Sequence, residues 1–269
     1  MPGNIGLLFI GDLIGRPGRQ ALARFLPRLK AKYRPTLVIA NGENAAGGSG
    51  ITEDIGRDLL SEVDVLTSGN HVWDRKDAIP YLDKEPRLLR PANYPAPNPG
   101  RGAILTADAE GRNVGVLNLQ GRVFMEAIDC PFRSADAEVA RLAPVTRAIV
   151  VDFHAEATSE KQALGWYLDG RVSAVLGTHT HVATADERIL PGGTAFITDV
   201  GMAGARDSVI GMRREQAIEK FLTARPQRFE PEKGRLTLAA VFLEIDPETG
   251  RTVAITRESI TGTEDDGDE

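Results

Sequence analysis

Each of the four histidines in this 269-residue chain stands at or just past the end of a short apolar run. His71 follows the run 63–67, His154 closes the run 148–153, and His179 and His181 follow 172–176. The runs are short, rich in Val, Ile and Leu, and bounded by polar or Gly-containing segments, which suits buried strands. Stretches with helical spacing lie between them. The first is 17–33, with Pro17 in its opening turn and Leu22, Phe25, Leu26 and Leu29 on one face. Pro27 inside that stretch predicts a kink or an early end. Further helices are predicted at 54–63, behind a candidate cap at Thr52, and at 135–141, 159–168 and 214–222. Strands are also predicted at 5–10, 37–40, 114–119, 195–198, 236–245 and 252–256.

Strand–helix alternation predicts a layered α/β fold. The last two strands have little helix between them, which predicts an antiparallel edge or a second sheet. That feature favours a four-layer α/β/β/α sandwich over a simple doubly wound sheet. Residues 1–262 read as a single domain. The last seven residues hold five acids, Glu264, Asp265, Asp266, Asp268 and Glu269, and that composition predicts a solvated, disordered tail.

The formal net charge is −6, and the tail supplies most of it. A near-neutral body excludes a dedicated binder of long nucleic acid, which needs a basic surface. One cysteine, Cys130, excludes an internal disulfide and a Cys-rich zinc site. No apolar run approaches the roughly 18 residues of a membrane span, so no membrane partner is expected. The run 5–10 is cut off by Asp12 and has no basic residue before it, so it reads as a strand and not as a signal peptide. A cytoplasmic address is the default expectation.

Open α/β folds build their sites at the carboxyl ends of strands. Five such ends deliver Asp12, Glu43, Asn44, Asn70, His71, His154, His179 and His181. Taken singly, each has an ordinary structural reading. An Asp after a strand is usually a turn or cap residue, Asn41-Gly42-Glu43-Asn44 reads as a turn, and His-x-His on a strand places two rings on one face. Their convergence argues for a metal site. Carboxylate, amide and imidazole ligands suit borderline divalent metals. The set is generous for one ion and better used by two, and Glu43 is the natural bridge because its two oxygens can serve both.

Asp152 and Glu156 are candidates to orient His154, and Trp73 and Asp74 to pack beneath the site. Ser68 lies close in sequence to His71, but no G-x-S-x-G elbow exists. The segment 91–102, rich in Pro, Asn and Gly, is a candidate pocket loop carrying Asn93 and Tyr94, and Arg122 is a candidate phosphate partner.

The order Asp12, Gly42-Glu43-Asn44, Gly69-Asn70-His71, His154, Gly177-Thr178-His179-Thr180-His181 resembles the calcineurin-like metallophosphoesterases. Two departures mark a branch. Asp12-Leu13-Ile14 lacks the histidine of the superfamily's first motif, and Glu43 replaces the usual aspartate. With Gly69-Asn70-His71-Val72-Trp73-Asp74 and Thr198-Asp199-Val200-Gly201-Met202, they resemble the YmdB-like branch.

The resemblance implies two divalent ions per chain, iron or manganese. Asp12 and His181 would hold the first, with Asn44 in place of the missing histidine. Asn70, His154 and His179 would hold the second, and Glu43 would bridge them. His71 would be the general acid. The implied reaction is hydrolysis of small phosphodiesters, 2′,3′-cyclic nucleotides among them, by metal-bridged hydroxide attack. A phosphomonoesterase or nucleotidase on the same centre is the alternative within enzymes. A metal-dependent, nucleotide-sensing regulatory protein is the alternative outside them. The sequence leaves the oligomeric state open, a homo-oligomer included.

Overall fold

The structure is a computed structural model that describes residues 3–262; the predicted acidic tail lies outside the described residues. Two mixed sheets stack face to face. In the first, β1 (Ile5–Ile10), β3 (Leu37–Asn41) and β4 (Val65–Thr67) run parallel. β12 (Leu236–Ile245) lies antiparallel to β1, and β13 (Thr252–Gly262) covers the other edge of β12. The short pair β2 (Asp12–Leu13) and β11 (Met202–Ala205) extends the edge on which β1 sits. The closing hairpin β12–β13 is therefore the antiparallel edge expected from sequence.

In the second sheet, β6 (Asn113–Gln120), β7 (Ile149–His154), β8 (Ala174–Thr178) and β10 (Ala195–Ile197) are parallel. β5 (Ala103–Ala107) and β9 (Arg188–Ile189) lie antiparallel at its two edges.

Side-chain alternation assigns each strand's two faces. Ile5, Leu7 and Phe9 point between the sheets, where they meet Val116, Val150 and Leu176. Leu8 and Ile10 point outward, under α1 (Gly15–Tyr33), α2 (Glu53–Leu59) and α3 (Ala78–Lys84). On the far side, Leu119, Val151 and Phe153 pack under α4 (Pro131–Leu142) and α5 (Thr158–Tyr167). The result is the four-layer α/β/β/α sandwich. α6 (Arg214–Thr223) buries only Ala217.

Several boundaries differ from expectation. α1 does not end at Pro27. Pro27 and Ala23, whose carbonyl loses its partner, both face solvent, while Phe25, Leu26 and Leu29 hold the helix down. Thr52 caps α2 by accepting from Ile55 N, but the helix stops at Leu59, short of residue 63. α3 was not legible because Pro80 breaks its pattern; in the first turn the missing N–H costs nothing.

The parallel strands align their carboxyl ends. Gln120, His154 and Thr178 stand in one row of the second sheet, and Asn41 and Thr67 in one row of the first. Asp12 joins them because Gly11 lets two backbones touch. A Cβ at Gly11 would lie 2.0 Å from Gly201 O, and Asp12 N donates to that same carbonyl at 3.0 Å.

Candidate metal centre

Glu43 is the centre of the site. Its turn is set by Asn41, whose Oδ1 accepts from Glu43 N at 3.1 Å. Oε1 of Glu43 lies 2.9 Å from His154 Nε2 and accepts from Asn44 Nδ2 at 3.0 Å. Oε2 accepts from the backbone N of His71 at 3.2 Å.

Around it the described residues form two triplets of ligand atoms. One is Asp12, Glu43 and His181; the other is Glu43, His154 and His179. Within each triplet the atoms lie within 4.8 Å of one another. Asn44 Nδ2 is 3.2 Å from His181 Nε2, and Asn70 Oδ1 is 3.1 Å from His154 Nε2. All seven residues named from sequence as ligands thus converge, and Glu43 is common to both groups.

The hydrogen-bond partners on the far side of each ring fix which nitrogen is free. The Thr178 hydroxyl donates to Asp152 Oδ1 at 2.7 Å, so its oxygen accepts from His154 Nδ1 at 3.0 Å and leaves Nε2 facing Glu43. His181 Nδ1 donates to Ile210 O at 2.9 Å, which leaves Nε2. His179 Nε2 meets Glu156 Oε2 at 3.1 Å, which leaves Nδ1. Such partners raise ligand basicity and fix ring orientation.

The donor set fits a cation. Asp12 Oδ1 is buried with no hydrogen-bond partner. His154 Nε2 lies within 3.1 Å of Glu43 Oε1, Asn70 Oδ1 and His179 Nδ1 together. One ring nitrogen has at most one proton and cannot satisfy three acceptors. The protonation pattern points the same way. Burial pushes the Asp12 carboxyl well above the usual range, despite the His154 charge nearby. Burial also opposes ionisation of Glu43, but the charge and hydrogen bond of His154 outweigh it and pull Glu43 down to about 2. Burial works against a charged His154 too, yet Glu43, Asp12 and Asp152 raise it to about 9. Burial and the His154 charge push His179 down to about 3.

His71 stands apart from both triplets at the rim. Its Nδ1 is 2.9 Å from Asp74 Oδ2, and its side chain is 38% exposed.

Other expectations are corrected. Glu156 supports His179, not His154, whereas Asp152 does orient His154, through the Thr178 hydroxyl. Asp74 does not pack beneath the site but holds His71. Ser68 is spent on structure, donating its hydroxyl to Leu89 O at 2.7 Å. Asn93 is buried and ties Gln120 O, Gln120 N and Asp129 O together, so it does not line a pocket. Tyr94 packs edge-on against Trp73 with ring centroids 5.4 Å apart, and with Ala92 and Gly102 it does line a cavity, as the loop reading expected. Burial, with Glu126 nearby, pushes its phenol up to about 12. Thr178 and Asn41 were not singled out from sequence. Each sits inside a motif already read, but a hydroxyl or amide in such a motif carries no signal until its partner across the fold is known.

A family profile described as YmdB-like protein matches residues 8–258. The chain belongs to this family. A Bacillus subtilis (strain 168) protein named 2′,3′-cyclic-nucleotide 2′-phosphodiesterase is 52% identical over 252 residues, which is 93% of this chain and 95% of that relative. A crystal structure of a hypothetical protein from Thermus thermophilus superposes with a TM-score of 0.89 at 43% identity, covering 96% of this chain and 99% of that one. A Mycoplasma pneumoniae structure described as a novel phosphatase gives a TM-score of 0.91 at 34% identity, over 98% of this chain and 96% of that one. The four-layer fold is shared with both of these structures.

Proposed function

We propose that the chain is a dimetal phosphodiesterase that opens 2′,3′-cyclic nucleotides at the P–O2′ bond. The observation that carries this reading is the pair of ligand triplets sharing Glu43. Asp12, His181 and Asn44 would hold one divalent ion, and Asn70, His154 and His179 the other, with Glu43 available to both. Nitrogen and oxygen donors without a thiolate suit iron or manganese. Bound there, the ions supply Lewis acidity and an activated water for in-line displacement at phosphorus, a combination worth several kcal/mol.

The chain's own residues do the rest. Nδ1 of His71 is held by Asp74, so the ring is oriented and Nε2 is left to carry the proton. His71 delivers that proton to the departing O2′, which leaves a nucleoside 3′-phosphate. General acid assistance of this kind is worth about 10²–10⁴-fold. The His71 backbone N–H on Glu43 fixes the distance between the proton donor and the ion cluster. The substrate class is supported by the name of the B. subtilis relative, which is 52% identical to this chain over 252 residues.

Relative rates on 2′,3′-cyclic AMP and 5′-AMP test the reading. Faster turnover of the cyclic diester, with 3′-AMP as product, is expected. Preferential release of phosphate from 5′-AMP would make the chain a phosphomonoesterase on the same centre.

A further inference from the structure

Lys161 and Asp199 form an ion pair that none of the chemistry above uses. Lys161 Nζ lies 2.7 Å from Asp199 Oδ2, and the side chains are 1% and 0% exposed. The same Oδ2 accepts from Thr180 N at 3.0 Å and from the Thr180 hydroxyl at 2.8 Å. Oδ1 accepts from Gly201 N at 2.9 Å. Asp199 is itself clamped, because its N donates to the Thr184 hydroxyl at 2.9 Å and its carbonyl accepts from Thr184 N at 3.0 Å.

Thr180 is the residue between His179 and His181. Those two histidines have φ of +104° and +65°. Non-glycine residues at positive φ are uncommon, are strained, and persist only where the surroundings over-determine them. The chain leaves β8 at Thr178 and reverses its backbone twice around one tethered threonine. That path sends His179 to one ligand triplet and His181 to the other. On a continuing strand the two rings would share a face and could not serve both groups.

We infer that the Lys161–Asp199 pair is a positioning device that sets His179 and His181 on their two separate metal sites through Thr180. Lys161 supplies the counter-charge that lets a carboxylate sit fully buried. Asp199 uses that charge to hold both polar groups of Thr180 with short, charge-assisted bonds. The inference rests on the dimetal reading. It distinguishes Asp199, which would act on both sites, from the Thr178 hydroxyl, which among the metal-site histidines reaches only His154.

The test is Mn²⁺ binding to the chelator-stripped full chain, followed calorimetrically, for wild type, Asp199→Asn, Thr180→Val and Thr178→Val. Far-UV circular dichroism of the stripped proteins monitors the fold. Asp199→Asn and Thr180→Val are expected to weaken both binding steps, by about 10–100-fold, with the fold retained. Thr178→Val is expected to weaken one step. If Asp199→Asn fails to fold, Thr180→Val removes a single hydroxyl, leaves the ion pair intact and carries the test. Two ions bound as tightly by Thr180→Val and Asp199→Asn as by wild type would overturn the inference alone. So would losses confined to the step that Thr178→Val affects. Wild type that takes up no ion would overturn the dimetal reading and this inference with it.

Discussion

Glu43 Oε1 lies 2.9 Å from His154 Nε2, and neither side chain has any exposure to solvent. A buried carboxylate and a buried imidazolium at this distance stabilise each other as an ion pair. In the metal-free chain the positive charge is the proton His154 keeps up to about pH 9. Divalent ions should replace it and bind the folded state alone. Mn²⁺ at about 100 times its Kd is expected to add about 2.7 kcal/mol of stability. Thermal melts with excess Mn²⁺ and with chelator check this. Coincident melting curves would be evidence against a buried metal site.

His71 and the two triplets are separable by mutation. His71→Ala should retain both ions and lose about 10²–10⁴-fold in turnover, most with poor leaving groups. Asp74→Asn should cost less, because it disturbs only the orientation of the ring. Metal analysis beside kcat decides the matter. Loss of an ion in His71→Ala would make the residue a ligand.

Gly69 is where the site touches backbone most closely. A Cβ there would lie 2.2 Å from His154 Cδ2 and 2.3 Å from Glu43 Oε2. Gly69→Ala must push these two groups apart, and misplacement by about 1 Å can cost 10²-fold. The expected variant is folded, holds less metal and turns over about 10²-fold more slowly. Wild-type kcat in Gly69→Ala would show that the site tolerates expansion.

Away from the site, Asp108 ties the β5–β6 hairpin. It accepts from Arg112 Nη2 at 2.6 Å and Nε at 2.9 Å, and from the backbone N of Glu110 and of Arg112. Burial opposes its ionisation, but the Arg112 bonds outweigh it and hold the carboxyl below its usual value. A depressed folded value means stability that is present above the unfolded value, near 3.9, and lost as pH falls through the folded one. Asp108→Asn is expected to cost about 1–3 kcal/mol at pH 7, with the gap narrowing below about pH 4. Urea midpoints at pH 7 and pH 3 test the sign. A gap that does not change with pH would mean the charge contributes nothing.

The sequence carried the chemistry further than the architecture. Every residue proposed as a ligand was legible because each stands at a strand end beside a glycine or another polar residue, and the apolar runs locate strand ends well. β2 and β11 were not legible, since two or four residues give no period to read. β5 alternates weakly beside a proline-rich loop. Supporting contacts were the least visible. Asp199 and Thr180 are 19 residues apart, Lys161 and Asp199 are 38 apart, and Asn41 and Asp152 are 111 apart. Nothing local in a sequence marks such pairs. The His179–His181 spacing was legible, but not that the backbone reverses between the two rings.

The most direct test is to purify the chain without chelator, count metal per chain, and follow 2′,3′-cyclic AMP hydrolysis by wild type and Glu43→Gln. About two ions per wild-type chain are expected, with Glu43→Gln losing hydrolysis and at least one ion. A wild-type chain that holds no metal and turns over nothing after Mn²⁺ or Fe²⁺ is supplied would contradict the dimetal mechanism. A Glu43→Gln variant as active as wild type would contradict the bridging role of Glu43.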